Sequence, residues 1–140
     1  CYILSSMSLI RIVSKWLKQA EADLEAAIDS LKTRHFEWAC FQAQQAAEKA
    51  LKAFLFSRGY TSILSHSLKF LTKEASQLEP EFENYIKEAK KLDMYYIPTR
   101  YPNGLGGEIT PAEFYDEEDA QQCINSAKLI LEIVKKYINK

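Results

Sequence analysis

The spacing of the apolar residues, which advance by threes and fours almost without interruption, most limits how this chain can fold. Between Ser8 and Lys32 they fall at Leu9, Ile12, Val13, Trp16, Leu17, Ala20, Leu24, Ala27, Ile28 and Leu31. On a helix this is a single apolar stripe with charge on the opposite side. Ser8, with a hydroxyl that can accept from an unpaired N–H of the first turn, reads as its N-cap. After a break at Thr33-Arg34-His35 the same rhythm runs to Arg58 through Phe36, Ala39, Cys40, Ala43, Ala46, Ala47, Ala50, Leu51, Phe54 and Leu55. The middle of this second segment, FQAQQAAEKALKA, is rich in alanine. Small side chains there let a neighbouring helix approach closely, and Gly59 supplies a left-handed stop.

Ser65-His66-Ser67-Leu68 opens a shorter helix with Leu68, Leu71 and Ala75 inward. Pro80 then stands at the favoured first position of another, which carries Phe82, Tyr85, Ile86, Ala89 and Leu92 inward and must stop before Pro98. Residues 97–115 read as the longest irregular segment, and a loop of that length in a small domain is usually functional or mobile. The last helix begins near Asp116-Glu117-Glu118-Asp119 and ends near Lys135-Lys136, with acid and base placed to suit the helix dipole. Its stripe is Ala120, Cys123, Ile124, Ala127, Leu131, Val134 and Ile138. No segment alternates with period two. The expectation is an all-α, antiparallel up-and-down bundle of four main helices plus a short one. The two tryptophans and most phenylalanines are assigned to its core.

A chain of 140 residues is one domain's worth and buries enough surface to need no staple. Residues 8–140 are taken as that domain and residues 1–7 as an N-terminal extension outside the fold, with Met7 a candidate start. Eighteen basic residues nearly cancel nineteen acidic ones, which argues against a wholly basic nucleic-acid surface but leaves room for a local patch. Cys1, Cys40 and Cys123 form neither a disulfide framework nor a zinc spacing. Cys40 and Cys123 read as small buried hydrophobes, and a reducing, cytoplasmic compartment fits. The apolar start CYILSSMSLI is too short for a bilayer span of about 20 residues, so no membrane association is expected.

Chemistry concentrates in Tyr95-Tyr96-Ile97-Pro98-Thr99-Arg100-Tyr101-Pro102-Asn103. Pro98 and Pro102 restrict the backbone around Arg100, while the tyrosine rings can support a guanidinium or stack on a base. Asp93, at the end of the preceding helix, can orient Arg100 through a bidentate ion pair. Two readings stay open: an arginine fork offered to a phosphate, or an internal Arg100–Asp93 staple that holds the loop down. His66 lies at a helix start and reads either as a capping or core-edge histidine or as a ligand contact; His35 reads as solvated. The two histidines suggest no metal site, and no phosphate-binding, dinucleotide-binding, zinc-protease or serine-hydrolase motif is present. Gly104-Leu105-Gly106-Gly107 follows no strand and reads as a hinge.

The segment Phe36 to Ala53 resembles the signature helix of the HEPN (higher eukaryotes and prokaryotes nucleotide-binding) domains. His66-Ser67-Leu68 with Leu71 resembles that family's histidine segment. YYIPTRYPN is similar to its arginine loop, and Glu113-Phe114-Tyr115 with Glu118-Asp119-Ala120 to the entry of its last helix. The resemblance runs from about Ile10 to Ile138 in the expected order. It implies a helical bundle, commonly a homodimer whose arginine loops face one another, often paired with a minimal nucleotidyltransferase as a toxin–antitoxin module. Ribonuclease members carry a histidine a few residues after the arginine, but no histidine follows Arg100 here. The resemblance therefore implies a non-catalytic nucleotide- or RNA-binding module without a cofactor, contacting its ligand through Arg100, Tyr96, Tyr101, Asn103 and His66, with Asp93 orienting. The alternatives are a metal-independent ribonuclease using Arg100 and His66, and a structural partner protein that self-associates through the alanine face of the second helix.

Overall fold

The computed structural model describes residues 6–96, 99, 101 and 105–139. Its elements are α1 (Ser6–Lys32), α2 (Phe36–Ser57), α3 (Leu68–Leu78), a 3-10 segment (Pro80–Tyr85), α4 (Ile86–Asp93), the single turn α5 (Pro111–Phe114) and α6 (Glu117–Ile138). No strand occurs among the described residues. The long helices α1 and α6 flank α2, and α3 and α4 pack against its remaining side. The chain reverses between α1 and α2 in a tight turn, with Arg34 at φ 65° and His35 N donating to Ser30 O at 2.8 Å. An all-α bundle is what the apolar periodicity demanded.

Local boundaries differ from expectation in three places. α1 opens at Ser6 and already contains Ser8, because Met7 is a good helix former and no breaker intervenes. Pro80 does stand at a helix start, but its first turn is 3-10 before α4 begins. Within the segment read as irregular, Pro111 starts the short turn α5. The start of α6 is a reciprocal cap: Asp119 N donates to Asp116 Oδ1 at 2.9 Å, and Asp116 N donates to Asp119 Oδ2 at 3.1 Å. Two N–H groups that the helix leaves unpaired are satisfied there.

The core is built around α2. Ala39, Ala43, Ala46, Ala47, Ala50 and Ala53 are all fully buried, as close packing against α1 and α6 requires. That face is consumed inside the chain, so it does not serve self-association as the structural-partner reading had it. Phe54 and Phe82 are packed with ring centroids 4.6 Å apart. Cys40 and Cys123 are buried thiols, and their hydrogen bond, together with burial, pushes the Cys40 thiol far up. The assignment of aromatics to the core needs correction: Trp38, Phe70 and Phe114 are each about half exposed. Trp38 lies in the first turns of α2 and is 49% exposed there. Among the described residues, no helix is long and apolar enough to cross a membrane.

Enlarging an alanine in the centre of α2 should push its flanking helices apart. Ala47→Leu is expected to lower unfolding stability by about 1–3 kcal/mol, read as a lower denaturant midpoint at unchanged slope.

Candidate functional site

The alanines occupy most of α2's circumference, but one buried line along it is polar. Gln44, Glu48 and Lys52 follow one another at single-turn spacing, and all three are almost fully inaccessible. A buried charge survives only when it is paired and hydrogen-bonded. Glu48 Oε2 accepts from Lys52 Nζ at 3.0 Å, and His66 Nδ1 lies 3.1 Å from the same oxygen. The Lys52 ammonium also sits 5.8 Å from the centre of the Trp16 ring, a favourable place for a desolvated cation. Gln44 Oε1 accepts from Gln45 Nε2 at 2.7 Å. Among the described residues, Glu48 Oε1 and Gln44 Nε2 have no hydrogen-bond partner.

His66 carries this buried line to the surface. Its side chain is 61% exposed, although the carboxylate beneath it is almost sealed. The imidazole stacks on Tyr96 with centroids 6.0 Å apart and planes within 14°. Tyr96 approaches Phe41 at 6.3 Å, and Phe41 approaches Trp38 at 6.2 Å. A row of four rings thus runs from the start of α2 to His66. Rings of this kind can hold bases by stacking, worth roughly 1–3 kcal/mol per base.

The end of α4 is tied down on two sides. Asp93 accepts from Leu68 N at 2.7 Å, Lys69 N at 3.0 Å and Ser67 Oγ at 3.1 Å, so its carboxylate covers the N-terminus of α3. Ser67 also caps that helix, accepting from Phe70 N at 3.2 Å. Tyr95 donates its hydroxyl to Asp119 Oδ1 at 3.2 Å and packs on Tyr115 with centroids 5.6 Å apart. The Thr99 hydroxyl donates to the Tyr95 carbonyl, which anchors the segment leading to Arg100. Burial, reinforced by nearby Cys40 and Asp119, pushes the Tyr115 hydroxyl up to about 12, and burial raises Tyr95 as well.

Of the residues singled out in sequence, His66 and Tyr96 are in contact, and Tyr101 is about half exposed beside its loop. Arg100 and Asn103, with Ile97, Pro98, Pro102 and Gly104, lie outside the described residues, as therefore does any Arg100–Asp93 pair. Asp93 has a role that sequence reasoning did not anticipate, as the cap of α3. The buried pair Glu48–Lys52 was also missed. Its signal was present, since glutamate and lysine four apart stand on the face of α2 that its alanines share. Among the described residues, no group of three His, Cys, Asp or Glu side chains could hold a metal ion.

A helical bundle with a ring-lined surface and a carboxylate-held histidine defines a class of small helical domain built around a polar site. The HEPN domain family model matches residues 13–137, and the chain belongs to that family. It is 31% identical, over 94% of its length and 91% of the relative's, to a Methanocaldococcus jannaschii protein named "Putative toxin MJ1304". Among solved structures, TT1696 from Thermus thermophilus matches with a TM-score of 0.79 and 38% identity, covering 89% of this chain and 96% of that one. ST0689, described as an archaeal HEPN homologue, matches at 0.74 and 40%, covering 90% and 97%.

Two outcomes test this geometry. Asp93→Ala leaves the first N–H groups of α3 without their carboxylate and should cost about 1–2 kcal/mol, with hydrogen exchange rising first at Leu68 and Lys69. Tyr95 and Tyr115 titrate higher in the fold than unfolded, so the stability they contribute is complete below about pH 10 and is lost as pH rises through their folded values. Unfolding free energy should therefore fall between about pH 10 and 12, and less steeply in Tyr115→Phe.

Proposed function

We propose that this chain is a nucleotide- or RNA-binding HEPN module that works in a toxin–antitoxin-type pair with a minimal nucleotidyltransferase. Bases stack on the row formed by Tyr96, Phe41 and Trp38, Arg100 takes the phosphate, and Tyr101, Asn103 and His66 complete the contacts. The observation that carries this reading is the exposed His66–Tyr96 stack, fixed from below by buried Glu48 and adjacent in sequence to Arg100. The likeness to a relative named as a toxin supports the biological setting. The module acts as a homodimer with its arginine loops facing one another. Exposed apolar side chains on the segments around the site, Leu64 at 87% and Met94 at 71%, suit cover by a second copy.

Calorimetric titration with ATP, GTP and short single-stranded RNA tests the binding reading. Arg100→Ala should weaken binding of the preferred ligand at least about tenfold, since charge-assisted bonds are worth ~1.5–3 kcal/mol. Equal binding of every ligand by both proteins overturns it.

The Glu48–His66 contact favours a second reading, a metal-independent ribonuclease. A carboxylate behind an imidazole is a recurring way to orient a general base, and such a base contributes roughly 10²–10⁴ in rate. In that case RNA incubated with the protein and a chelator is cleaved, and His66→Ala abolishes cleavage. RNA that stays intact with wild type removes this reading and leaves the binding module.

A further inference from the structure

We infer that Cys40 and Cys123 are a peroxide-oxidisable dithiol, held by the fold where a single disulfide would staple α2 to α6. The inference is independent of the binding reading above. The two thiols are far apart in sequence, yet both are buried, at 0% and 2% exposure, and they share a hydrogen bond. The surrounding backbone permits the approach. Ala39 and Ala43 flank Cys40 on α2, Ala120 and Ala127 flank Cys123 on α6, and all four are fully buried. Small side chains bring packed helices to their closest separation, which suits a disulfide's need for Cα atoms about 4.4–6.8 Å apart.

A buried thiol is ordinarily inert. This pair differs in having a second sulfur within reach and an opening at one end. Cys123 forms part of the wall of a cavity of about 70 Å³ between the end of α4 and α6, together with Lys91, Met94, Tyr95 and Gln122. Lys91, Met94 and Gln122 are exposed, so the cavity opens outward. Cys40 lies behind, out of that wall. A water molecule takes up about 30 Å³, so hydrogen peroxide fits the space and a tripeptide disulfide such as oxidised glutathione does not. Asp119, bonded to Tyr95 at the same wall, further opposes an anionic oxidant and leaves neutral peroxide unhindered. Burial and the bond to Cys123 keep the Cys40 thiol protonated, so Cys123 is the sulfur that meets the oxidant.

The chemistry closes in two steps. Cys123 Sγ attacks one peroxide oxygen; the S–O bond forms, the O–O bond breaks, and the departing hydroxide takes the thiol proton and leaves as water. Cys40 Sγ then attacks Cys123 Sγ. The S–S bond forms, the S–O bond breaks, and the second hydroxide carries off the Cys40 proton as water. Two thiols are oxidised and one peroxide is reduced.

The test uses the full chain with Cys1→Ser, which leaves two thiols. The folded protein is treated with hydrogen peroxide or with oxidised glutathione, then unfolded, alkylated and mapped by peptide mass, which separates disulfide from oxygen added at exposed Met7 and Met94. Peroxide should link the Cys40 and Cys123 peptides within one chain and raise the thermal midpoint by roughly 5–10 °C, reversibly with dithiothreitol. Oxidised glutathione should leave both thiols free to alkylate. In Cys40→Ala the reaction should stop at a Cys123 sulfenic acid that dimedone traps, and in Cys123→Ala the Cys40 thiol should stay reduced. Both thiols alkylated after peroxide, a link that forms only in denaturant, or a Cys123 sulfinic acid in place of the link overturns the inference. These arms need no core variant, so a failure of either alanine protein to fold does not protect it.

Discussion

Everything in this fold follows from α2 having helices on nearly every side. A helix so enclosed cannot carry bulky residues all round, because neighbouring axes lie about 8–10 Å away. Its six buried alanines meet that limit where α1 and α6 press closest. Elsewhere larger groups fill the wider gaps, as Phe54 does against Phe82. The same enclosure makes any charge on α2 a commitment. Removing one partner of a buried ion pair typically costs about 3–5 kcal/mol, so Glu48 and Lys52 stand or fall together.

The enclosure of α2 also decides where the candidate site forms. His66 stands just before α3 and Tyr96 just after α4, so neither helix alone would bring them together. Asp93 does, because its carboxylate is at once the end of α4 and the cap of α3. One clip therefore closes the distance between the histidine segment and Tyr96. The His66–Tyr96 stack follows from that closure, and Glu48, beneath the imidazole, sets the direction in which it faces. The site is a by-product of how two short helices are pinned to a long one.

This division explains what could be read from residues alone. The apolar stripes of α1, α2 and α6 were legible because each repeats over many turns, and a long stripe has few ways to be buried. The start of α6 near Asp116–Asp119 was legible from its acidic run, whereas the reciprocal cap those two side chains form was not read from it. Asp93 was legible as a charged group beside the arginine loop, but not as a partner of Leu68 and Lys69, since nothing within one segment reveals which distant helix start it reaches. Trp38 misled for the opposite reason: its type says core, while its exposure depends on which elements happen to cover the first turns of α2. Glu48 and Lys52 were passed over: their spacing among the alanines of α2 was visible, but only the helices packed around them show that both are buried. The arginine loop was read as a constrained cation among rings; of it the structure describes Tyr95, held by Asp119, and Thr99, held by the Tyr95 carbonyl.

The missing downstream histidine then takes on a physical meaning. In a site proposed to hold an anion, a carboxylate directly behind the imidazole would ordinarily oppose binding, because its charge acts through a poorly screened interior. Lys52 removes that objection by balancing Glu48 where it lies, beneath the surface and away from solvent screening. What reaches the surface is the imidazole that this balanced pair holds. Arg100 and His66 stand on separate segments of the chain, so the proposed cation and the imidazole are not bound to one loop.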